Sequence, residues 1–326
     1  MHWLERHWYR RTPVSCALLP LAGIYRLVVS LRRAGYRLGA FRTERLPAPV
    51  VVVGNITVGG TGKTPLTVWL AQRLRDQGYL PGIVTRGYGG SSSAWPQHVC
   101  ADSDPELVGD EPVLLARAAA CPVVADPDRV RGARQLLERY GCNVLLSDDG
   151  LQHYRLARDV EIAVIDATRR FGNGWCLPAG PLREPVARLN SVDARIVNGD
   201  AGPNEWGMTL AEQGFCRLGE REPSAVAQHF RGRRVHAVAA IGNPPRFFHQ
   251  LRQLGLVPIE HPFPDHHKFA VADLAFGDDA DIIMTEKDAV KCERLGIRGW
   301  YLKVSAQPDA RLGELVLRRV KEATGG

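Results

Sequence analysis

Gly59, Gly60 and Gly62, with Thr61 among them, lead directly into Lys63 and Thr64. Glycines let backbone N–H groups turn toward one point, the lysine adds a full positive charge, and the threonine hydroxyl suits a Mg²⁺ ion carried on a nucleotide's phosphates. The β-branched run Val50-Val51-Val52-Val53 precedes this loop, and Leu66 to Asp76 reads as a helix after it. Strand, loop and helix N-terminus then converge on bound phosphate. The strict phosphate-loop pattern asks for glycine where Thr57 stands, but the Gly-Lys-Thr core ahead of a helix keeps the chemistry.

A second chemical stretch is Asn143 to His153. The apolar Val144-Leu145-Leu146 ends in Ser147-Asp148-Asp149, followed by Gln152 and His153. A strand that delivers carboxylates beside a phosphate loop can hold Mg²⁺ directly or through water, and two adjacent carboxylates favour a nearby cation. Asp110-Glu111 precede an apolar helix (Val113 to Ala120), where local sequence alone reads them as an N-cap and a first-turn charge. Arg86 and Tyr88 follow the strand-like Gly82 to Thr85. That is either the ligand end of an open α/β sheet or a turn with incidental side chains. Asp265, His266 and His267 form a polar knot without the further ligands a metal centre needs, so an imidazole–carboxylate pair or a solvated loop histidine is expected.

These residues need strands and helices to position them. From Val50 to Asn198 strand-like runs alternate with helical ones and repeatedly end in polar residues, as at Asp148 and Asp166. The expected fold is α/β, a P-loop doubly wound parallel sheet with helices on both faces. Gly199 to Ala227, rich in Gly, Pro and Glu, reads as an irregular connection, after which Val235 to Pro244 opens a second, smaller α/β unit. The expected division is an N-terminal segment over 1–40, a nucleotide-binding domain over 41–215 and a smaller domain over 216–326. Seven scattered cysteines without CxxC spacing point to a reducing compartment and away from a disulfide framework or a zinc site.

The net charge of +7 lies wholly in residues 1–47, which hold nine Arg and two Glu; the other 279 residues carry 33 basic and 33 acidic side chains. A nucleic-acid enzyme would spread cations around its cleft, so none is expected as a partner. Trp3, Trp8 and Tyr9 stand among Arg6, Arg10 and Arg11. Downstream, Leu18, Leu21, Ala22, Tyr25 and Val29 fall on one helical face, with Arg26, Ser30, Arg33 and Arg37 on the other. The uncharged part, Pro13 to Tyr25, is shorter than the ~20 residues a bilayer span requires. The reading is an amphipathic helix on an anionic membrane surface; the alternative is packing on the protein itself.

Taken together, the stretches 54–65, 85–89, 109–112, 148–153, 178–184, 263–267 and 285–291 resemble the tetraacyldisaccharide 4′-kinase family of lipid A biosynthesis, in the family's order and over nearly the whole chain. The resemblance implies ATP- and Mg²⁺-dependent phosphorylation of the 4′-hydroxyl of a tetraacylated glucosamine disaccharide 1-phosphate, giving lipid IVA. It implies a peripheral or monotopic location on the cytoplasmic face of the bacterial inner membrane and an active site between the two α/β domains. By resemblance, Lys63 neutralises the β- and γ-phosphates, and Thr64 with an Asp148 or Asp149 carboxylate holds Mg²⁺. Asp110 is the implied base for the sugar hydroxyl with His266 as its partner. Glu111, Gln152, His153 and Arg183 join the polar cluster. A partition-type ATPase, the rival reading, would carry a second lysine where Val58 stands.

Overall fold

The computed structural model describes residues 2–325, with side chains from Leu4 onward; Trp3, counted among the N-terminal aromatics, has its side chain outside the described residues. The strands are β1 (Val50–Gly54), β2 (Pro81–Thr85), β3 (Gln97–Val99), β4 (Val123–Ala125), β5 (Val144–Asp148), β6 (Val160–Asp166), β7 (Ala194–Asn198), β8 (Trp206–Arg217), β9 (Arg234–Ala239), β10 (Val257–Pro262), β11 (Ile282–Thr285) and β12 (Trp300–Pro308). They form one twelve-stranded sheet in the order β10-β9-β11-β12-β8-β7-β6-β1-β5-β2-β4-β3. It is parallel except where β8 meets β12 and where β3 closes the edge against β4.

The helices are α1 (His2–Trp8), α2 (Pro13–Ala17), α3 (Leu19–Arg37), α4 (Lys63–Asp76), α5 (Pro105–Val108), α6 (Asp110–Ala118), α7 (Arg129–Tyr140), α8 (Ala227–Phe230), α9 (Pro244–Gln253), α10 (Glu286–Cys292) and α11 (Ala310–Thr324). Strand alternation splits them between the sheet's two faces. Val51 and Val53 pack with Leu66 and Leu70 of α4 and Val113 of α6, while Val50 and Val52 pack with Val130, Ala133 and Leu136 of α7. Every residue of β1 is buried, as a central parallel strand covered on both sides requires.

Four elements depart from the sequence expectation. Residues 199–227 are not irregular throughout, because β8 runs through them, pairing in parallel with β7 and antiparallel with β12. Helix α11 does not pack on the second unit: Leu312, Val316 and Val320 join Leu66 and Leu70 in the core beneath the phosphate loop. In α3, Ala22 is buried and Tyr25 and Val29 half-buried, so most of the face assigned to lipid lies against the protein. Leu21 of that face is exposed, beside a second apolar face of Ile24, Leu27, Val28 and Leu31 that is exposed too. Trp8 is likewise not a free interfacial anchor: it is buried, and its indole N–H donates to the Pro178 carbonyl at 2.9 Å. Among the described residues no helix is long and apolar enough to cross a membrane.

Candidate active site

The phosphate loop joins the end of β1 to the start of α4. Gly59 and Gly62 have φ of 99° and 98°, in the left-handed region that favours glycine. At Gly62 a Cβ would also lie 2.4 Å from Asn198 Nδ2, and that amide, at the end of β7, donates to the Thr61 carbonyl at 3.0 Å. The loop is therefore shaped by its own glycines and clamped by the strand ends beside it. Thr61 Oγ1 is buried without a hydrogen-bond partner.

Lys63 is buried at the head of α4, its Nζ 3.6 Å from Asp149 Oδ1. Arg183 takes the same carboxylate with Nη1 donating at 3.0 and 2.9 Å. Burial opposes ionisation of Asp149, but Lys63 and Arg183 outweigh it and hold the carboxyl well below its usual range. Asp148 is the opposite case. It is fully buried, and burial together with the neighbouring Glu111 and Asp149 charges pushes it up to about 7, against the pull of Lys63 and the Thr67 hydrogen bond. Its Oδ1 accepts from Thr67 Oγ1 at 3.1 Å, while Oδ2 is buried with no partner.

An orphaned carboxylate oxygen of raised pKa, next to a second carboxylate and one strand from the Thr64 hydroxyl, fits a divalent cation. No group of three acidic, histidine or cysteine side chains able to hold a metal gathers among the described residues.

The second cluster joins the start of α6 to the second half of the chain. Asp110 Oδ2 lies 3.2 Å from His266 Nδ1. Lys287, one residue into α10, donates from Nζ to Glu111 Oε1 at 3.1 Å and to Asp265 Oδ1 at 3.3 Å, and meets His266 Nε2 at 3.4 Å. The ammonium can donate to Nε2 only when that nitrogen carries no proton, so the arrangement is that of a neutral imidazole whose Nδ1–H donates to Asp110. Burial opposes ionisation of Asp110, but Lys287 and His266 carry the carboxyl down to about 2. Burial works against protonation of His266 too, and the bond to Asp110 nonetheless raises it. His266 has φ of 59°, and the Tyr88 ring lies against it with centroids 5.0 Å apart.

The structure thus brings together Lys63, Asp148, Asp149 and Arg183 on one side and Asp110, Glu111, His266 and Tyr88 on the other. Gln152 is beside them, with its amide donating to the Asn55 carbonyl at 3.0 Å. His153 is not drawn into this bonding: its Nε2 is buried without a partner, and burial beside Arg129 lowers it to about 4. Arg86 is exposed at the end of β2. Thr64 faces a cavity of about 390 Å³, lined also by Pro65, Trp69, Glu286, Lys303 and Val304. Lys287 was not among the expected site residues; the only sequence signal was its place in the matching stretch 285–291.

A sequence profile described as tetraacyldisaccharide-1-P 4′-kinase matches residues 14–321. The chain belongs to this family. A tetraacyldisaccharide 4′-kinase from Nitrosococcus oceani is 51% identical over 321 residues, covering 98% of this chain and 94% of the relative. One from Alkalilimnicola ehrlichii is 55% identical over 310 residues, covering 94% and 93%. Among solved structures, the "apo" form of LpxK from Aquifex aeolicus in complex with ATP superposes with a TM-score of 0.78 at 28% identity, covering 94% of this chain and 99% of that one. The α/β architecture of this solved LpxK is therefore shared by most of the chain.

Proposed function

We propose that the chain is an ATP- and Mg²⁺-dependent kinase that transfers the γ-phosphate to the 4′-hydroxyl of a tetraacylated glucosamine disaccharide 1-phosphate, a step of lipid A synthesis that yields lipid IVA. The observation that carries this reading is the pairing of a lysine-bearing phosphate loop with the Asp110–His266 couple from the far half of the chain.

Phosphoryl transfer needs charge neutralisation and an in-line acceptor more than covalent chemistry from the protein. Lys63 sits at the head of α4 and meets the β- and γ-phosphates there. Thr64, Asp148 and Asp149 would hold Mg²⁺, which when bound neutralises charge developing on the phosphate oxygens. Arg183 and Lys63 fix Asp149 as a carboxylate. Asp110, kept ionised, accepts the hydrogen bond of the attacking hydroxyl, orients its oxygen and takes its proton as the bond to phosphorus forms; His266 holds Asp110 in place through its Nδ1–H. Lys287 positions both.

The nucleotide-binding half, 41–215 with the returning α11 packed on it, and the remainder of 216–326 act as lobes, with β8 and β12 between them and the reaction in the cleft. The acceptor arrives from the membrane. The exposed apolar face of α3 and the arginines around it suit a peripheral seat on an anionic leaflet, the cytoplasmic face of the inner membrane.

The direct test is phosphate transfer from ATP to the acylated disaccharide 1-phosphate by the purified chain in detergent. Mg²⁺-dependent transfer to the sugar that disappears in Asp110→Ala supports the reading. ATP hydrolysis without transfer overturns it.

A further inference from the structure

Asp166 ends β6, immediately beside the phosphate-loop strand, and is buried, yet the mechanism above gives it nothing to do. Its two carboxylate oxygens face different parts of the chain. Oδ1 accepts from the backbone N–H groups of Thr168 at 3.1 Å and Arg169 at 2.8 Å, which fixes the turn after β6. Oδ2 faces the second lobe, accepting from Asn243 Nδ2 at 3.4 Å and Arg246 Nη1 at 3.2 Å, at the start of α9.

The turn between β9 and α9, held in this way, lies directly on the phosphate loop. A Cβ on Gly242 would be 2.3 Å from the Gly60 backbone nitrogen and 3.1 Å from Gly59 Cα. Only a glycine lets the two backbones approach so closely, and Gly60 belongs to the loop whose N–H groups receive phosphate. The lobes therefore meet on both flanks of the site: on one through Asp110–His266, Lys287–Glu111 and Arg117–Glu293, and on the other through this glycine-on-glycine contact, with Asp166 behind it.

Resting on the kinase reading, we propose that Asp166 is a positioning residue for the transfer, the clasp through which Asn243 and Arg246 hold the 240–244 turn on the phosphate loop and so set nucleotide affinity. Asp166 touches no reacting atom. It acts through the turn, and its loss frees the second lobe to swing off the phosphates while the loop's own strand and helix persist. A buried carboxylate bound by a guanidinium is one of the stronger couplings a lobe interface can have, and removing either partner strands the other.

The test measures kcat and KM for ATP, with the acylated disaccharide 1-phosphate in detergent, for wild type, Asp166→Ala, Arg246→Ala, Arg246→Lys and the Asp166→Ala/Arg246→Ala double variant. The expected result is a KM for ATP raised at least about fivefold in each alanine variant, with no further rise in the double variant and partial recovery in Arg246→Lys. Gly242→Ala should raise KM for ATP by a similar amount, because its new methyl lifts the turn. The single alanine variants also melt lower, because each leaves a partner unpaired, so the positional role is read at a temperature well below their transitions, where a merely structural loss would lower the active fraction and kcat and leave KM for ATP unchanged. Values of KM within twofold of wild type, or effects that multiply in the double variant, overturn the clasp. Should Asp166→Ala fail to fold, the part-exposed Arg246 and the Gly242 variant decide the matter. A wild type that transfers no phosphate sinks the kinase reading itself. Loss of transfer in Lys63→Ala alongside unaltered Asp166 variants sinks the clasp alone.

Discussion

Lys63 and Asp110 carry the chemistry by opposite means, one supplying charge to phosphates and the other holding a negative charge for a hydroxyl. Replacing Lys63 by alanine removes a buried cation aimed where transition-state charge develops. Turnover at saturating ATP should fall by roughly 10²–10³-fold, read as labelled phosphate on the lipid; near-normal turnover would end that role. The Asp110–His266 couple makes a pH prediction for stability. The His266 pKa is raised on folding, so its contribution is full below its unfolded value of about 6.5 and is lost as pH rises through the higher folded value. The Asp110 pKa is depressed, so its own contribution is full above about pH 4 and lost as pH falls through about 2. The gap in melting temperature between wild type and Asp110→Asn should therefore be wider at about pH 5.5 than at about pH 9. An equal gap at both would mean that the imidazole does not gain a proton partner there.

Much of this was legible in residues that lie close together in sequence. Gly62-Lys63-Thr64 and Asp148-Asp149 announce themselves because one turn and one strand end hold all their parts. Lys287 does not. Its partners come from residues 110–111 and 265–266, and a lysine near the start of a short helix looks like any solvated one until the fold closes around it.

At the scale of elements, long periodic segments were read well and hinge and surface segments poorly. Strand β8 mixes buried and exposed residues without strict alternation and carries Gly207 and Gly214, the latter at φ of 113°, so its sequence shows no clean period of two. Helix α3 fails in the other direction, because it is apolar on both the face it packs and the face it exposes. A two-faced reading had to choose one, and the inward face was chosen. That exposed face makes its own prediction. Replacing Ile24 and Leu27 by glutamate should lower partitioning onto anionic vesicles by roughly tenfold or more per residue, since burying such a side chain is worth about 1.5–3 kcal/mol. Circular dichroism and transfer to detergent-dispersed substrate should stay close to wild type. Unchanged vesicle binding would mean that α3 does not enter the interface.

At the scale of the whole molecule, the sheet is unbroken from β10 to β3, yet the site draws on both ends of it. The chain leaves the nucleotide-binding half along β8, builds the second α/β unit, and returns along β12 to end in α11 on α4. Phosphate loop, cleft and hinge therefore share one framework, and motion of one lobe is felt at the loop through the few places where the lobes touch.

The return of α11 has a consequence for the order in which the protein can be made. Leu66 and Leu70, on the helix that begins with Lys63, share one core with Leu312, Val316 and Val320, and Gly313 of α11 faces Trp69 and Arg73 of that helix. During synthesis that face of the nucleotide-binding half stays bare until residues 310–324 have left the ribosome. A chain stopped at 308 should bind an apolar dye and be cut rapidly by protease within 63–76, whereas adding back a peptide of residues 309–325 should restore resistance. If the shorter chain resists protease unaided, α11 is an ornament on a half that is already finished.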